Sequence, residues 1–481
     1  MTPTRLLNWI VSLGSDAVGR FALQLGSTIV FARLLAPEQF GQAALVVVIM
    51  AVLSIIVTAP FEEGLVQQRR VRRMHFSAAL GALLLLALLL YGLTAALALT
   101  VGEWLFGAAG IGPLIAGFGL ILLAEGPYAV FCAAARRRRR FGSIAAANFA
   151  GLLLGTVVGI GLALSGVGVW SLLAVRVVSR YVSAVWIAVA AGYRIFPAWS
   201  PRHLRSSARF AGWYFADRCT TNLTDAVFQA LVTSLLGLAA NGYLNMAMRI
   251  VEPIRGASGA ISHNLAMAYF TRLQDTPARL RDSLEAAMQH TCLILFPIFV
   301  GLAAVSGTLI ILLAGEQWQP AVPVAVLLAL SAALISPTEF VHTAVTARGR
   351  AELGFATSLT GLVVTIVSVA ALAPLGVIAA GWSRLLYYGG DAAWGVGLAA
   401  GLFGIPTLRF ARLLWRLVAA ATVMGLLVWW LPGLLPPDLP RLGVLAAQVG
   451  AGALTYGLLV AVLVPDLVRQ TLSQLLASRG G

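Results

Sequence analysis

Long apolar runs, broken by short basic or Gly/Pro-marked segments, follow one another along almost the whole of this 481-residue chain. A helix needs about 20 residues to cross the ~30 Å hydrocarbon core of a bilayer, where every backbone polar group must be satisfied within the protein. The pattern predicts an all-α polytopic membrane protein with about 14 transmembrane helices. They fall at roughly residues 10–32, 42–60, 76–100, 113–134, 143–164, 168–190, 210–235, 242–270, 288–313, 323–346, 353–373, 376–402, 413–431 and 442–464. No connecting loop is long enough to fold as a separate catalytic domain.

Polar positions inside the runs form stripes. Ser12, Asp16, Arg20 and Gln24 lie four apart in the first span and share a helix face. Asp217, Thr221, Thr224, Asp225 and Gln229 do the same in the seventh. In the eighth, Asn245, Arg249, Glu252, Arg255 and Gly259 follow three–four spacing around Pro253, whose missing N–H should kink the helix beside the charges. All three stripes are expected to face an interior. A fourth stripe, in the fifth span, is made of small residues: Ala147, Gly151, Gly155, Gly159 and Ala163. It lets another backbone approach closely and predicts tight packing inside the N-terminal bundle, or else a dimer contact.

The chain also repeats. A shift of 201 superimposes Asp16 on Asp217, Leu34–Leu35 on Leu235–Leu236, and Gly41 on Gly242. A shift of 208 superimposes Gly168–Val169 on Gly376–Val377 and Arg176 on Arg384, while Pro127 has a looser counterpart in Pro337. Six spans separate equivalents, an even number, so the halves share one orientation, as parallel repeats do about an axis along the membrane normal. The expected organisation is a six-helix lobe over 1–200, a second over 201–405, and two additional helices with a tail over 406–481.

Composition agrees: 60% of residues are hydrophobic, 11% charged, and the mean hydropathy is +0.90. The net charge of +15 would suit nucleic acid, but its placement argues otherwise. Basic residues cluster in alternate loops, at Arg69–Arg73, Arg136–Arg140, Arg194–Arg209, Arg272–Arg281, Arg348–Arg350 and Arg409–Arg416. The loops between them hold only Arg33 and Arg441. That is the positive-inside rule applied along the whole chain, with both termini on the basic, cytoplasmic side. Cys132, Cys219 and Cys292 lie in apolar runs without paired spacing, so neither a disulfide nor a metal site is expected. A cleavable signal peptide is not expected either, since the first span carries Asp16 and Arg20 and lacks a cleavage site.

Seven arginines fall inside the predicted spans: Arg20, Arg176, Arg180, Arg218, Arg249, Arg255 and Arg384. Each costs about 3 kcal/mol at mid-membrane on the lenient insertion scale, so all seven facing lipid would cost roughly 20 kcal/mol. They are expected to face water, acids or one another. One reading is a basic cavity for an anionic headgroup, with Arg20, Arg249, Arg255, Arg176 and Arg384 as ligands, because arginine forks match phosphate oxygens. Asp16, Asp217, Asp225 and Glu252 are then cavity acids able to couple transport to a cation. Arg136, Arg137 and Arg138 set topology against anionic lipid, or capture a headgroup at the cytoplasmic mouth. The competing reading is a neutral network, since seven acids also lie in the spans: Asp16, Glu125, Asp217, Asp225, Glu252, Glu339 and Asp391. His342, near Glu339 and Pro337, is a candidate proton relay or a satisfied interior histidine. Enzyme signatures are missing from the sequence, so no catalytic residue and no cofactor is expected.

Two stretches resemble a known family. Leu23–Gly41, LQLGSTIVFARLLAPEQFG, with the following Glu63–Gln67 and its basic loop, is similar to the start of bacterial polysaccharide flippases of the Wzx type. Asn241–Gln274, NGYLNMAMRIVEPIRGASGAISHNLAMAYFTRLQ, resembles that family's eighth span. The resemblance implies two six-helix lobes around a central cavity, alternating access, and an undecaprenyl-diphosphate-linked oligosaccharide moved to the outer leaflet of the bacterial inner membrane. Its implied partners are that glycan lipid, membrane lipids and glycan polymerase or export machinery. A cation-coupled multidrug exporter of the same fold stays open, with Asp16, Asp217 and Glu252 then important. So do an integral-membrane glycan polymerase or acyltransferase and a purely structural scaffold.

Overall fold

A computed structural model describes residues 19, 23–67, 73–106, 110–138, 140–192, 195–201, 212–273, 276–348 and 350–467. Every regular element among them is helical, and each expected span meets a helix. The order is α1 (Leu23–Leu34), α2 (Pro37–Gln67), α3 (Arg73–Phe106), α4 (Ile111–Phe118), α5 (Ile121–Arg137), α6 (Phe141–Leu164), α7 (Val169–Ala191) and α8 (Gly212–Leu236). There follow α9 (Leu238–Leu273), α10 (Pro277–Ala314), α11 (Ala321–Ile335), α12 (Glu339–Ala347), α13 (Ala351–Leu372), α14 (Ile378–Phe403), α15 (Thr407–Trp430) and α16 (Arg441–Leu463). Among the described residues nine helices are long and apolar enough to cross a membrane, or ten if the bent pair α11–α12 is one span. Polar and charged residues hold α8, α9 and α14 out of that set.

One expected span is broken: the tenth divides into α11 and α12 with a 49° bend at Ser336–Thr338, while the fourth, interrupted at Gly119–Leu120 between α4 and α5, still runs as one span over Ile111–Arg137. Pro337 stands in that break and removes a ladder donor there. Pro127, its sequence counterpart, lies inside continuous α5, as Pro253 lies inside α9 and Pro297 inside α10. Of the four prolines, only Pro337 marks a break.

The chain divides into two compact units, Met1–Gly242 and Tyr243–Gly481, with the division inside α9. The repeat is written in their backbones. Gly168 has φ 67° and ψ −129°, and Gly376 has φ 68° and ψ −146°; side-chain-bearing residues rarely adopt either. After α5, Arg138 N–H donates to Ala134 O at 3.3 Å and Arg140 N–H to Ala135 O at 2.9 Å. After α12, Arg348 N–H donates to Ala344 O at 3.1 Å and Arg350 N–H to Val345 O at 3.3 Å, each 210 positions on.

Helix ends in the basic loops are satisfied by arginine. Arg140 donates to Ala190 O (2.6 Å) at the end of α7, Arg348 to Leu402 O (2.8 Å) at the end of α14, and Arg416 to Leu463 O (3.1 Å) at the end of α16. A guanidinium there satisfies an orphan carbonyl and complements the negative end of the helix dipole.

In the first unit the small-residue stripe of α6 packs against α7. A Cβ at Gly151 would lie 2.4 Å from Ser179 O, one at Gly155 2.3 Å from Val175 O, and one at Gly159 3.0 Å from Ser171 O. Ser183 Oγ donates to Ala147 O at 3.0 Å, closing the seam at its far end. In the second unit Gly361 of α13 meets the Tyr387 ring of α14, where a Cβ would come within 2.3 Å of Cε2. Packing within the bundle is the role of the stripe. Close approach of this kind gains dispersion and weak Cα–H···O contacts where no hydrophobic force drives helices together. Gly155→Ala should therefore destabilise the detergent-purified protein by roughly 1–3 kcal/mol through overpacking. Gly161→Ala, on the same helix with nothing within 4 Å, should not; the two thermal unfolding midpoints make the check.

Candidate functional site

Each unit carries a polar cluster, on α5 with α6 and α7 in the first and on α12 with α9 and α14 in the second. In the first unit, α5 and α7 bring Arg180 Nε to 3.0 Å from Glu125 Oε1. The Arg180 guanidinium also sits 4.3 Å above the Tyr128 ring, and Tyr128 Oη donates to Asn148 Oδ1 at 2.7 Å. Carboxylate, aromatic face and amide thus compensate one cation in a segment that lipid would otherwise reject. Arg176, one turn earlier on α7, is exposed and lies within electrostatic reach of Arg180.

The second unit's cluster draws on three helices. On α9, Arg255 forms a two-nitrogen pair with Glu252, Nε at 2.9 Å and an Nη at 2.6 Å from the same oxygen. The i,i+3 spacing puts the two on one face, and each side chain keeps 31% of its surface exposed. On α14, Tyr388 faces the Arg255 guanidinium at 5.4 Å and stands edge-on to Tyr387, with ring centroids 4.8 Å apart. Arg384, 3% exposed, sits 5.5 Å from the Tyr387 ring. On α12, Glu339 and His342 project one turn apart. His342 Nε2 reaches 3.2 Å from Asp391 Oδ1 of α14, within ion-pair range but off hydrogen-bond alignment. Gly395 leaves room for that ring, since a Cβ there would lie 3.3 Å from His342 Nε2. Glu339 lies within electrostatic reach of Arg255, His342 and Asp391, and its Oε2 is buried without a hydrogen-bond partner among the described residues.

Of the expected site residues, Arg255, Glu252 and Arg384 enter the second unit's cluster, and Arg249 and Asp225 are half-buried on α9 and α8. Arg20 and Asp16 lie outside the described residues, and the side chains of Asp217 and Arg218 are likewise not described. Arg137 donates to Leu65 O at 3.2 Å, while Arg136 is half-buried and Arg138 exposed. Sequence pattern did not disclose the joining of Glu339, His342 and Asp391 with Tyr387 and Tyr388. The one local signal was Pro337, which marks the break before α12.

The Arg180–Glu125 pair makes a clean test of compensation. Glu125→Gln should cost about 3 kcal/mol, the lower end for a broken buried pair because Arg180 remains 32% exposed. Adding Arg180→Gln should recover most of that loss. A double-mutant cycle on thermal stability reads both.

Residues 30–323 match the family model described as "Polysaccharide biosynthesis protein". The chain is 28% identical over 341 residues to the succinoglycan biosynthesis transport protein ExoT of Rhizobium meliloti, covering 70% of this chain and 67% of that one. Shorter matches join it to the lipopolysaccharide biosynthesis protein WzxC of Escherichia coli (28% over 148 residues, 31% of this chain and 30% of that one). The teichuronic acid biosynthesis protein TuaB of Bacillus subtilis matches at 26% over 158 residues, 32% of each chain. The chain thus spans about two thirds of ExoT and less than a third of the other two. In structure it resembles the lipid II flippase MurJ, with TM-score 0.76 and 12% identity over 96% of this chain and 100% of that one. A multidrug resistance transporter of the MATE family follows at TM-score 0.59 and 15% identity over 82% and 98%. The fold is theirs, that of a helical multi-pass membrane protein, and by the match over residues 30–323 this chain belongs to the polysaccharide biosynthesis protein family.

Proposed function

We propose that this protein is a flippase moving an undecaprenyl-diphosphate-linked oligosaccharide from the cytoplasmic to the outer leaflet, for exopolysaccharide, capsule or O-antigen synthesis. What supports this reading most is the match to a succinoglycan biosynthesis transport protein through 70% of the chain. It acts by alternating access in the bacterial inner membrane and performs no chemistry on its cargo. Its 14 spans form six-helix lobes over about 1–200 and 201–405, followed by two additional helices, with both termini in the cytoplasm. Glycan polymerase and export machinery receive the product.

The physical task is to give a diphosphate and its sugar a polar route, because neither enters hydrocarbon unsolvated. Arg249 and Arg255 on α9, with Arg20, Arg176 and Arg384, receive the phosphate oxygens. Arg255 is the residue of choice: it is half-exposed, already oriented by Glu252, and backed by Tyr388. Asp16, Asp217, Asp225 and Glu252 compensate these cations when no cargo is bound.

Purified protein in vesicles, offered a labelled polyprenyl-diphosphate oligosaccharide, tests the assignment. Arg255→Gln should lower the translocation rate by roughly 10- to 100-fold, the worth of a charge-assisted hydrogen bond, while Arg255→Lys keeps part of it. Unaltered rates in both Arg249→Gln and Arg255→Gln would overturn the reading.

A cation-coupled multidrug exporter is the second reading, favoured by the buried Glu339 carboxylate oxygen and the His342–Asp391 contact. Under it, Glu339→Gln abolishes efflux of organic cations while Arg255→Gln leaves it intact. The same two variants assayed on both cargoes separate the readings.

A further inference from the structure

The two additional helices carry a feature that the cargo clusters do not use. At the start of α15, Arg409, Arg412 and Arg416 follow three–four spacing and share one helix face. With Gln289 of α10, Trp415 and Val464 they line a cavity of about 440 Å³ in the second unit. That volume falls within the range of small-ligand pockets.

Two of the three cations are committed. Arg409 pairs with Glu285 of α10 at 2.8 Å, and Arg416 donates to Leu463 O at 3.1 Å. The carbonyl, and the Trp415 ring 5.6 Å from the guanidinium, hold Arg416 in place without supplying a formal negative charge. Arg412 makes no ion pair or hydrogen bond among the described residues. Among those residues no carboxylate lines the cavity itself, so Glu285 offsets one cation and two remain. The scaffold is fixed by its own bonds: Gln289 Nε2 donates to Leu413 O at 3.4 Å, tying α10 to α15 across the floor.

The surroundings narrow the ligand. The flank of α15 beside the cavity is apolar and exposed, with Leu408 at 70%, Trp415 at 53% and Val418 at 47%. Exposed tryptophan and leucine beside arginine mark the border between hydrocarbon and headgroups. An anion seated here has acyl chains as natural company along that flank. Planar forks from neighbouring turns suit a tetrahedral phosphate better than a carboxylate, since more oxygens are available to them.

We propose that this pocket binds the phosphate group of an anionic membrane lipid. The site does not depend on the cargo assignment, because any lipid whose phosphate headgroup carries net negative charge satisfies its chemistry.

The test is native mass spectrometry of the detergent-purified full chain with equimolar phosphatidylglycerol and phosphatidylcholine. Wild type should retain phosphatidylglycerol preferentially, and Arg412→Gln with Arg416→Gln should lose roughly tenfold of that preference. Arg441→Gln, which removes a cation paired elsewhere with Glu316, should keep it. Arg412→Lys, which preserves charge, separates binding from folding: it should retain most of the preference at an unaltered melting point. Equal retention by wild type and the double variant overturns the proposal. Displacement of the lipid by millimolar inorganic phosphate overturns the lipid assignment. Displacement by substoichiometric undecaprenyl phosphate supports it and makes polyprenyl phosphates the preferred source.

Discussion

A guanidinium cannot shed its proton to escape hydrocarbon, so each intramembrane arginine here obliges the fold to bring something to it. The structure answers differently in each place. Arg180 receives Glu125 and the face of Tyr128, Arg255 receives Glu252 and Tyr388, and Arg384 sits by the Tyr387 ring. At the helix ends Arg140, Arg348 and Arg416 receive backbone carbonyls. These obligations set which helices face each other. The Arg180 pair requires α5 against α7, and the Arg255, Glu339 and Asp391 cluster requires α9, α12 and α14 to converge.

The repeat keeps backbone more strictly than chemistry. Gly168 and Gly376 share an uncommon conformation, and the hydrogen bonds that end α5 recur at the end of α12. Side chains have diverged over that frame. The 208-residue shift that superimposes Arg176 on Arg384 places Arg180 on Tyr388, so a cation in one unit stands where the other has an aromatic acceptor for a cation. Arg176 is exposed while Arg384 is buried, so equivalent positions need not share a role. Glycine-defined turns hold the two frames alike while each unit pairs its own cations in its own way.

Local periodicity made much of this legible. Apolar runs located the helices, and the four-residue glycine spacing located the α6–α7 seam. Three–four spacing put Glu252 on one face with both Arg249 and Arg255, and although the sequence pointed to Arg249 as its partner, the structure pairs it with Arg255. What could not be read were long-range choices. Nothing within one helix says that Arg180 will take Glu125, fifty-five residues earlier, rather than another acid. Asp391 and His342 meet where Gly395 lets α14 come close to Thr338 and His342 of α12, a fact of packing and not of pattern. The interruption between α4 and α5 at Gly119–Leu120 was likewise silent, since the nearby proline lies within intact α5. Whether Arg20 and Asp16 join the same clusters concerns residues outside those described.

The partial exposure of the Arg255–Glu252 pair bears on how the proposed flippase would bind and release a diphosphate. A fully buried pair resists opening because each ion would be stranded in a low dielectric. An isolated cation would hold phosphate too firmly and would be costly when empty. At 31% exposure on both sides, the pair is open enough to trade one anion for another without first stranding the guanidinium. In the proposed cycle, cargo phosphate would replace Glu252 on loading, and Glu252 would compete it away on release. Affinity is then set by a difference between two similar interactions, and that keeps binding weak enough for turnover while arginine still supplies selectivity for phosphate.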